Sequence, residues 1–187
     1  MRIDLKRSHI AREIVETLAL TLIIFIVIRF AIQSYRVEGT SMQPGLQSDE
    51  YVLVNKMAYL FHIPDRGDII VFHDPLDTSK DYIKRVIGLP GDTISYTSTT
   101  VEVNGVVLNE PYISEKANPL ARNPFVVPAN DYFVLGDNRP INDDSRDWGF
   151  LPKDYIVGKA VMVYWPLNKW ELINTYPAVF TQIKLNH

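Results

Sequence analysis

The sequence has no cysteine among its 187 residues. This absence excludes disulfide scaffolds, thiolate metal sites and cysteine nucleophiles. Histidine is scarce as well: there are four, and they form neither an H-E-x-x-H motif nor another ligand cluster. We therefore expect no metal and no cofactor. The composition, 47% apolar and 22% charged, excludes a disordered or collagen-like chain and is sufficient for one sizeable core.

Basic residues do not outnumber acidic residues in this sequence. The net charge is −3, and the first 32 residues carry five basic and three acidic side chains, so the remainder carries −5. A body with this acidic balance lacks the positive surface that nucleic-acid binding requires. We therefore predict no nucleic-acid partner.

One long apolar segment is present, at residues 14–32, with the sequence IVETLALTLIIFIVIRFAI. As a helix it would be roughly 28 Å long, which is just enough to cross a bilayer. Its uninterrupted apolar stretch covers only residues 18–28, so a cleaved signal peptide and a buried soluble helix are alternatives. Arg29, Phe30 and Tyr35 stand where a cleavage site would need small residues, which favours an uncleaved anchor.

The residues before this segment predict its orientation. They include Arg2, Lys6, Arg7 and Arg12, and short basic flanks stay on the cytoplasmic side. No second apolar run follows to bring the chain back. We therefore predict a single-pass protein of the cell membrane, with a cytoplasmic tail at residues 1–13, an anchor at 14–32 and an extracytoplasmic domain at 33–187.

The rest of the chain has the pattern of a single, mostly β domain. Short apolar or alternating runs separated by turn residues lie at 50–58, 67–75, 81–96, 100–109, 131–137 and 155–166. Asn104-Gly105 separates two alternating runs, and this dipeptide supplies the positive φ angles of a tight hairpin. We expect β-strands in these runs and a hairpin at that turn.

Two candidate catalytic groups lie near turns. Ser41 stands between Gly39 and Pro44 in E-G-T-S-M-Q-P, where a strained loop can point a backbone N–H the same way as the hydroxyl. A serine in such a loop is also a common turn residue. His73 precedes Asp74, which suggests an imidazole base held by a carboxylate; a strand-end histidine beside a turn aspartate is the commoner interpretation.

Lys84 is the third candidate, in the run Y-I-K-R-V-I-G at residues 82–88. Strand alternation places Lys84 and Arg85 on opposite faces, so whichever face is buried carries a cation. An edge strand would let the lysine reach solvent. A lysine made neutral near pH 7 by burial could instead accept a proton from a serine, whereas arginine could not.

A polar segment at residues 135–149 is dense in Asp, Asn, Ser and Arg and ends in Trp148-Gly149. Its composition predicts either a hydrogen-bond network that supports a site or a solvated acidic loop.

Four motifs in this order behind one anchor resemble the bacterial type I signal peptidase family: E-G-T-S-M-Q-P, G-D-I-I-V-F, Y-I-K-R-V-I-G-L-P-G-D and G-D-N-R-x5-S-R-D-W-G. The single anchor and the short segment between Gly91 and Asp131 resemble the Gram-positive form. The resemblance implies a largely antiparallel β-barrel or sheet domain on the membrane surface. It also implies a Ser/Lys endopeptidase that removes signal peptides from secretory preproteins after small residues (Ala-X-Ala type) by acyl-enzyme hydrolysis. Preproteins and membrane lipid are the partners implied.

The resemblance assigns roles residue by residue. Ser41 matches the nucleophile and Lys84 the general base. The Ser41 amide, with the Thr40 hydroxyl, would form the oxyanion hole, because Gly39 replaces a serine common in the family. Met42, Tyr82 and Ile83 would bind substrate. The supporting network would consist of Arg85, Asp137, Arg139, Asn142, Asp144, Ser145 and Arg146, with Asn142 at the position where the family often has the serine that orients the lysine.

Two other functions remain open at this point. A self-cleaving repressor or mutagenesis protein would share a Ser/Lys dyad on a related β fold, but those proteins are soluble and lack the anchor. A catalytically silent, membrane-anchored binding or assembly module of the same fold would have the two residues absent or apart in space.

Overall fold

A computed structural model of the chain describes residues 2–116 and 121–183, with side chains from residue 9 onward except that of residue 11. The side chains of Arg2, Lys6 and Arg7, on which the predicted orientation partly depends, lie outside the described residues, as does His187.

The N-terminal helix α1 (Arg2–Ala31) is longer than the apolar segment and includes the predicted tail. Residues 2–13 contain neither proline nor glycine and several strong helix formers, so nothing stops the helix at the start of the apolar run. Ile32, the last residue of the predicted anchor, is the first residue of the strand that follows the helix. Arg12–Ala31 has a mean hydropathy of 2.3 and is not buried by the rest of the protein. It is long and apolar enough to cross a membrane.

Twelve strands make up most of the regular secondary structure after α1 within the described residues. They are β1 (Ile32–Arg36), β2 (Tyr51–Asn55), β3 (Ile69–His73), β4 (Asp81–Gly88), β5 (Thr93–Tyr96), β6 (Val101–Val103), β7 (Val106–Val107), β8 (Arg122–Val126), β9 (Asp131–Leu135), β10 (Leu151–Pro152), β11 (Ile156–Trp165) and β12 (Glu171–Leu172). Two short helices, α2 (Ser145–Trp148) and α3 (Pro177–Phe180), complete the regular structure, with 3-10 turns at Lys153–Tyr155 and Leu167–Lys169.

The strands form two antiparallel sheets. The larger has the order β1-β2-β11-β3-β4-β9-β10, and β12 also pairs with β11. The smaller has the order β7-β6-β5-β8. The predicted fold class is confirmed: the protein is mainly antiparallel β, behind one apolar helix that can span a membrane. The predicted hairpin is also present, because Asn104 and Gly105 have φ angles of 51° and 80° between β6 and β7.

Buried apolar residues fix the strands that carry the site. One cluster packs Val37, Met42 and Leu46 against Val52 of β2 and Val71 of β3. This packing holds the segment after β1 over the centre of the larger sheet. Beyond Ile83, β4 is buried on both faces. Because side chains alternate along a strand, the basic side chains of Lys84 and Arg85 are buried on opposite faces of the sheet.

Candidate active site

The loop that carries Ser41 is held in place by its neighbours. The Ser41 carbonyl accepts a hydrogen bond of 2.9 Å from the Asn138 amide, and the Leu46 amide donates to the Met42 carbonyl at 2.9 Å. A Cβ atom added to Gly136 would lie 2.6 Å from the Ser41 carbonyl oxygen. Only glycine permits this approach of the strand end to the loop, so the segment after β9 fixes the position of the serine.

Lys84 reaches the same point from β4. Its Nζ lies 2.7 Å from Ser41 Oγ, and the residue is only 3% exposed. Burial lowers the pKa of the Lys84 ammonium below its ordinary value, while Asp143 and Asp144 oppose this shift. The Tyr82 ring lies 5.4 Å from Nζ. Desolvation is the largest of these effects, so the geometry and the electrostatics both favour proton transfer from the hydroxyl to the amine.

The pair opens into a cleft of about 540 Å³. Apolar side chains make up one part of its wall, among them Val37, Val52, Val71 and Ile83. Tyr82 also lines the cleft, but Met42 does not: it is 2% exposed and packs in the cluster behind Ser41. Of the three residues predicted to bind substrate, the structure therefore places Ile83 and Tyr82 on the surface of the cleft.

One edge of β4 is free along this cleft. Its residues 81–85 pair with β3 on one side, whereas β9 pairs on the other side only from Arg85 onward. Within the described parts of the chain, no strand occupies the second side at residues 81–84. Unpaired backbone groups at such an edge can accept an extended peptide as an added strand.

Behind Ser41, Arg85 forms a buried ion pair with Asp137. Its Nε and Nη2 donate to the two carboxylate oxygens at 2.8 and 2.7 Å, and the side chains of Arg85 and Asp137 are 2% and 0% exposed. The remaining nitrogen, Nη1, donates to the carbonyls of Gly67 and Asn174 at 2.8 and 3.2 Å. This bidentate pair satisfies both buried charges and fixes the chain next to Gly136.

A second set of contacts holds the rest of the polar segment. Asp144 caps α2 and accepts from the Gly136 amide at 3.0 Å, while Arg146 donates to Asp144 and to the Arg139 carbonyl. Ser145 Oγ accepts from the amide of Val134 at 3.0 Å. The interpretation of residues 135–149 as a solvated loop does not fit these buried contacts.

Sequence reasoning missed three participants in this arrangement. Glu110 forms the buried ion pair with Arg139, Asn138 donates from its side chain to the Thr40 carbonyl at 3.0 Å, and Asp143 lines the cleft. All three come from loops without an apolar period. Asn138 belongs to the G-D-N-R motif and Asp143 follows that motif by four residues, and these positions are the only signal that the sequence offers for the two.

Three other residues with predicted roles are Asn142, Thr40 and His73. Within residues 2–116 and 121–183, the Asn142 side chain forms no hydrogen bond with Lys84, and the Thr40 hydroxyl forms no hydrogen bond either. His73 Nδ1 contacts Asp81 at 2.7 Å, not Asp74, and His73 is not among the residues that line the Ser41 cleft. Among the described residues, no group of three acidic or histidine side chains could hold a metal ion.

Comparison with known families gives the identity that this geometry suggests. The model of the family described as signal peptidase, peptidase S26, matches residues 10–165. The chain belongs to this family. The predicted resemblance is therefore confirmed, and the protein belongs to a class of serine endopeptidases.

Relatives in the signal peptidase family match over most of the chain. A signal peptidase I of Leptolyngbya laminosa is 39% identical over 83% of this chain and 80% of its own length. Signal peptidase IB of Staphylococcus aureus strain COL is 34% identical over 88% of this chain and 94% of its own length. A crystal structure of a signal peptidase I from Enterococcus faecalis V583 is 37% identical, with a TM-score of 0.41, and covers 52% of this chain and 96% of that one.

Proposed function

We propose that the protein is a membrane-anchored signal peptidase I in which Ser41 is the nucleophile and Lys84 the general base. The observation that carries this proposal is the 2.7 Å separation of Lys84 Nζ from Ser41 Oγ inside a cleft with a free strand edge. It favours an enzyme over a silent binding module, because such a module needs no buried amine against a serine.

The reaction begins with transfer of the Ser41 hydroxyl proton to neutral Lys84. Ser41 Oγ then bonds to the scissile carbonyl carbon, and the C–N bond breaks as the Lys84 ammonium donates that proton to the leaving amine. Lys84, neutral again, accepts a proton from water, which attacks the acyl carbon. The bond to Ser41 breaks, the proton returns to Oγ, and the signal peptide leaves with a free carboxylate.

The oxyanion of each tetrahedral intermediate needs a donor that is not already engaged. The Ser41 amide donates to no acceptor within the described part of the chain, which supports its assignment to the oxyanion hole. The Thr40 hydroxyl is a second candidate, because it is exposed and forms no hydrogen bond there. Removing one such donor lowers kcat by about 10² to 10³-fold in serine proteases.

The substrates are secretory preproteins cut after small residues. A preprotein added as a strand along residues 81–84 directs the side chains one and three positions before the scissile bond to the same face. That face is the apolar wall formed by Val37, Val52, Val71 and Ile83. Shallow apolar contacts there select alanine and exclude bulky side chains.

The N-terminal helix anchors this reaction at the membrane. We assign residues 1–13 to the cytoplasmic side, 14–32 to the bilayer and 33–187 to the extracytoplasmic side. The Lys56 amide bonds to the Ala31 carbonyl at 2.8 Å, so the loop that follows lies at the helix exit. In that loop Leu60 and Phe61 are 60% and 94% exposed, and they contact lipid at the membrane surface.

Incubation of the full chain in detergent micelles with a preprotein tests the proposal. The wild type should release a signal peptide ending in Ala-X-Ala, and Ser41→Ala should release none. Ser48→Ala is the matched control, because Ser48 is exposed and lies outside the cleft. An active Ser41→Ala protein, or no cleavage by the wild type, would contradict the proposed function.

A further inference from the structure

Charged residues surround the mouth of the Ser41 cleft, and most of them contact a charged or polar side chain nearby. Besides Lys84, the cleft is lined by Arg36, Glu38, Lys80, Asp81 and Asp143. Arg36 and Lys80 form ion pairs, with Asp49 at 2.5 Å and with Asp77 at 2.9 Å, and Asp81 shares a hydrogen bond of 2.7 Å with His73 Nδ1.

The two remaining charged residues of the cleft, Glu38 and Asp143, are both acidic. Glu38 and Asp143 are exposed, and neither has an ion pair or a side-chain hydrogen bond among the residues that the structure describes. The nearby Lys84 does not balance Asp143 in the reactive state, because the amine must be neutral to act as a base. The mouth of the cleft is therefore negative around the reacting pair.

The two carboxylates lie on different elements that flank the dyad. Glu38 precedes Ser41 by three residues on the segment after β1. Asp143 belongs to the loop after β9, and its carboxylate acts electrostatically on Lys84. A peptide on the free edge of β4 directs alternate side chains to opposite sides. The residues one and three before the scissile bond face the apolar wall, so the residue between them points to the mouth.

We propose that Asp143, assisted by Glu38, determines specificity at this outward position, two residues before the scissile bond. A basic side chain there is favoured and an acidic one is disfavoured. The proposal rests on the proposed function, to which it adds a preference that the small-residue rule does not contain.

The expected preference follows from charge pairs at a solvent-exposed site. An exposed ion pair between the substrate side chain and a carboxylate of the cleft changes the binding constant by about two- to fivefold. Attraction of lysine and repulsion of glutamate together should give a ratio of about tenfold in kcat/KM at low salt. Because the Debye length is only a few ångströms at about 500 mM salt, most of this ratio should disappear at that ionic strength.

The test uses the full chain in micelles of an uncharged detergent and three preproteins that differ at this one residue, which is Lys, Gln or Glu. We measure kcat/KM at about 20 and 500 mM salt. The wild type should prefer Lys over Gln over Glu at low salt. Asp143→Asn should reduce the Lys-to-Glu ratio to about threefold, and adding Glu38→Gln should bring it close to one.

Asp147→Asn is the matched control, because Asp147 is an exposed carboxylate four residues away that does not line the cleft. It makes the same change in net charge and should leave the ratio unchanged. A wild-type ratio below about twofold, a preference for Glu, or an equal effect of Asp147→Asn would overturn the proposal. If one of these results occurs while the Gln preprotein is still cleaved by the wild type and not by Ser41→Ala, only the specificity proposal fails. If the wild type does not cleave the Gln preprotein at all, the proposed function itself is wrong.

Discussion

Replacing Asp137 with alanine would leave the Arg85 guanidinium buried without its carboxylate. Arg85 is 2% exposed and donates two hydrogen bonds to Asp137. Removing one partner of a buried ion pair costs about 3 to 5 kcal/mol. Two carbonyl acceptors and the ring of Tyr112, 4.2 Å away, remain around the cation, so we expect a loss of about 3 kcal/mol.

Urea unfolding of the full chain in micelles, followed by tryptophan fluorescence, measures this loss. Asp147→Ala is the control, since removing an exposed carboxylate changes stability by no more than about 0.5 kcal/mol. Asp137→Ala combined with Arg85→Met removes both charges and should be more stable than Asp137→Ala alone. A loss below about 1 kcal/mol in the single variant, or a double variant that is less stable still, would refute the role of this pair.

Three further changes have defined outcomes. Gly136→Ala places a methyl group 2.6 Å from the Ser41 carbonyl oxygen and should lower kcat about 10²-fold in the cleavage assay. Gly45→Ala is the control: its Cβ would have ordinary contacts of 3.7 Å, and kcat should stay within about twofold of wild type. Ser145→Ala leaves a buried amide without its acceptor and should cost about 1 to 3 kcal/mol in urea unfolding; no measurable loss would contradict this. Lys84→Met removes a buried amine whose pKa is depressed, so its gain in stability over wild type should grow as pH falls from about 10 and level off below the folded pKa; a gain that shrinks toward acid pH would show the opposite shift.

The sequence predicts the fold where local patterns decide it. Asn104-Gly105 forces a hairpin through its φ angles, and long alternating runs become strands. Strand β8 (Arg122–Val126) escapes this reasoning because four of its five residues are exposed and Pro124 interrupts it. It is a strand because it pairs with β5, which is a tertiary property.

The same limit applies to the candidate site. The motifs nominate Ser41 and Lys84, but 43 positions separate them, and only the pairing of β4 with β3 and the packing of the Ser41 loop bring them together. The family resemblance selects Asn142 by its place in the chain. It cannot tell which way a loop side chain points, and in the structure Asp143 is the neighbour that lines the cleft.

The pH dependence of kcat/KM for wild type and Lys84→Arg tests the central claim most directly. Because burial depresses the pKa of Lys84, the wild-type rate should rise with pH along a limb whose midpoint lies below the ordinary pKa of a lysine. Lys84→Arg should be inactive at every pH, since arginine stays protonated, while His73→Ala should keep the wild-type profile. An active Lys84→Arg enzyme, or a wild-type rate that does not change between about pH 6 and 9, would contradict a neutral lysine as the base.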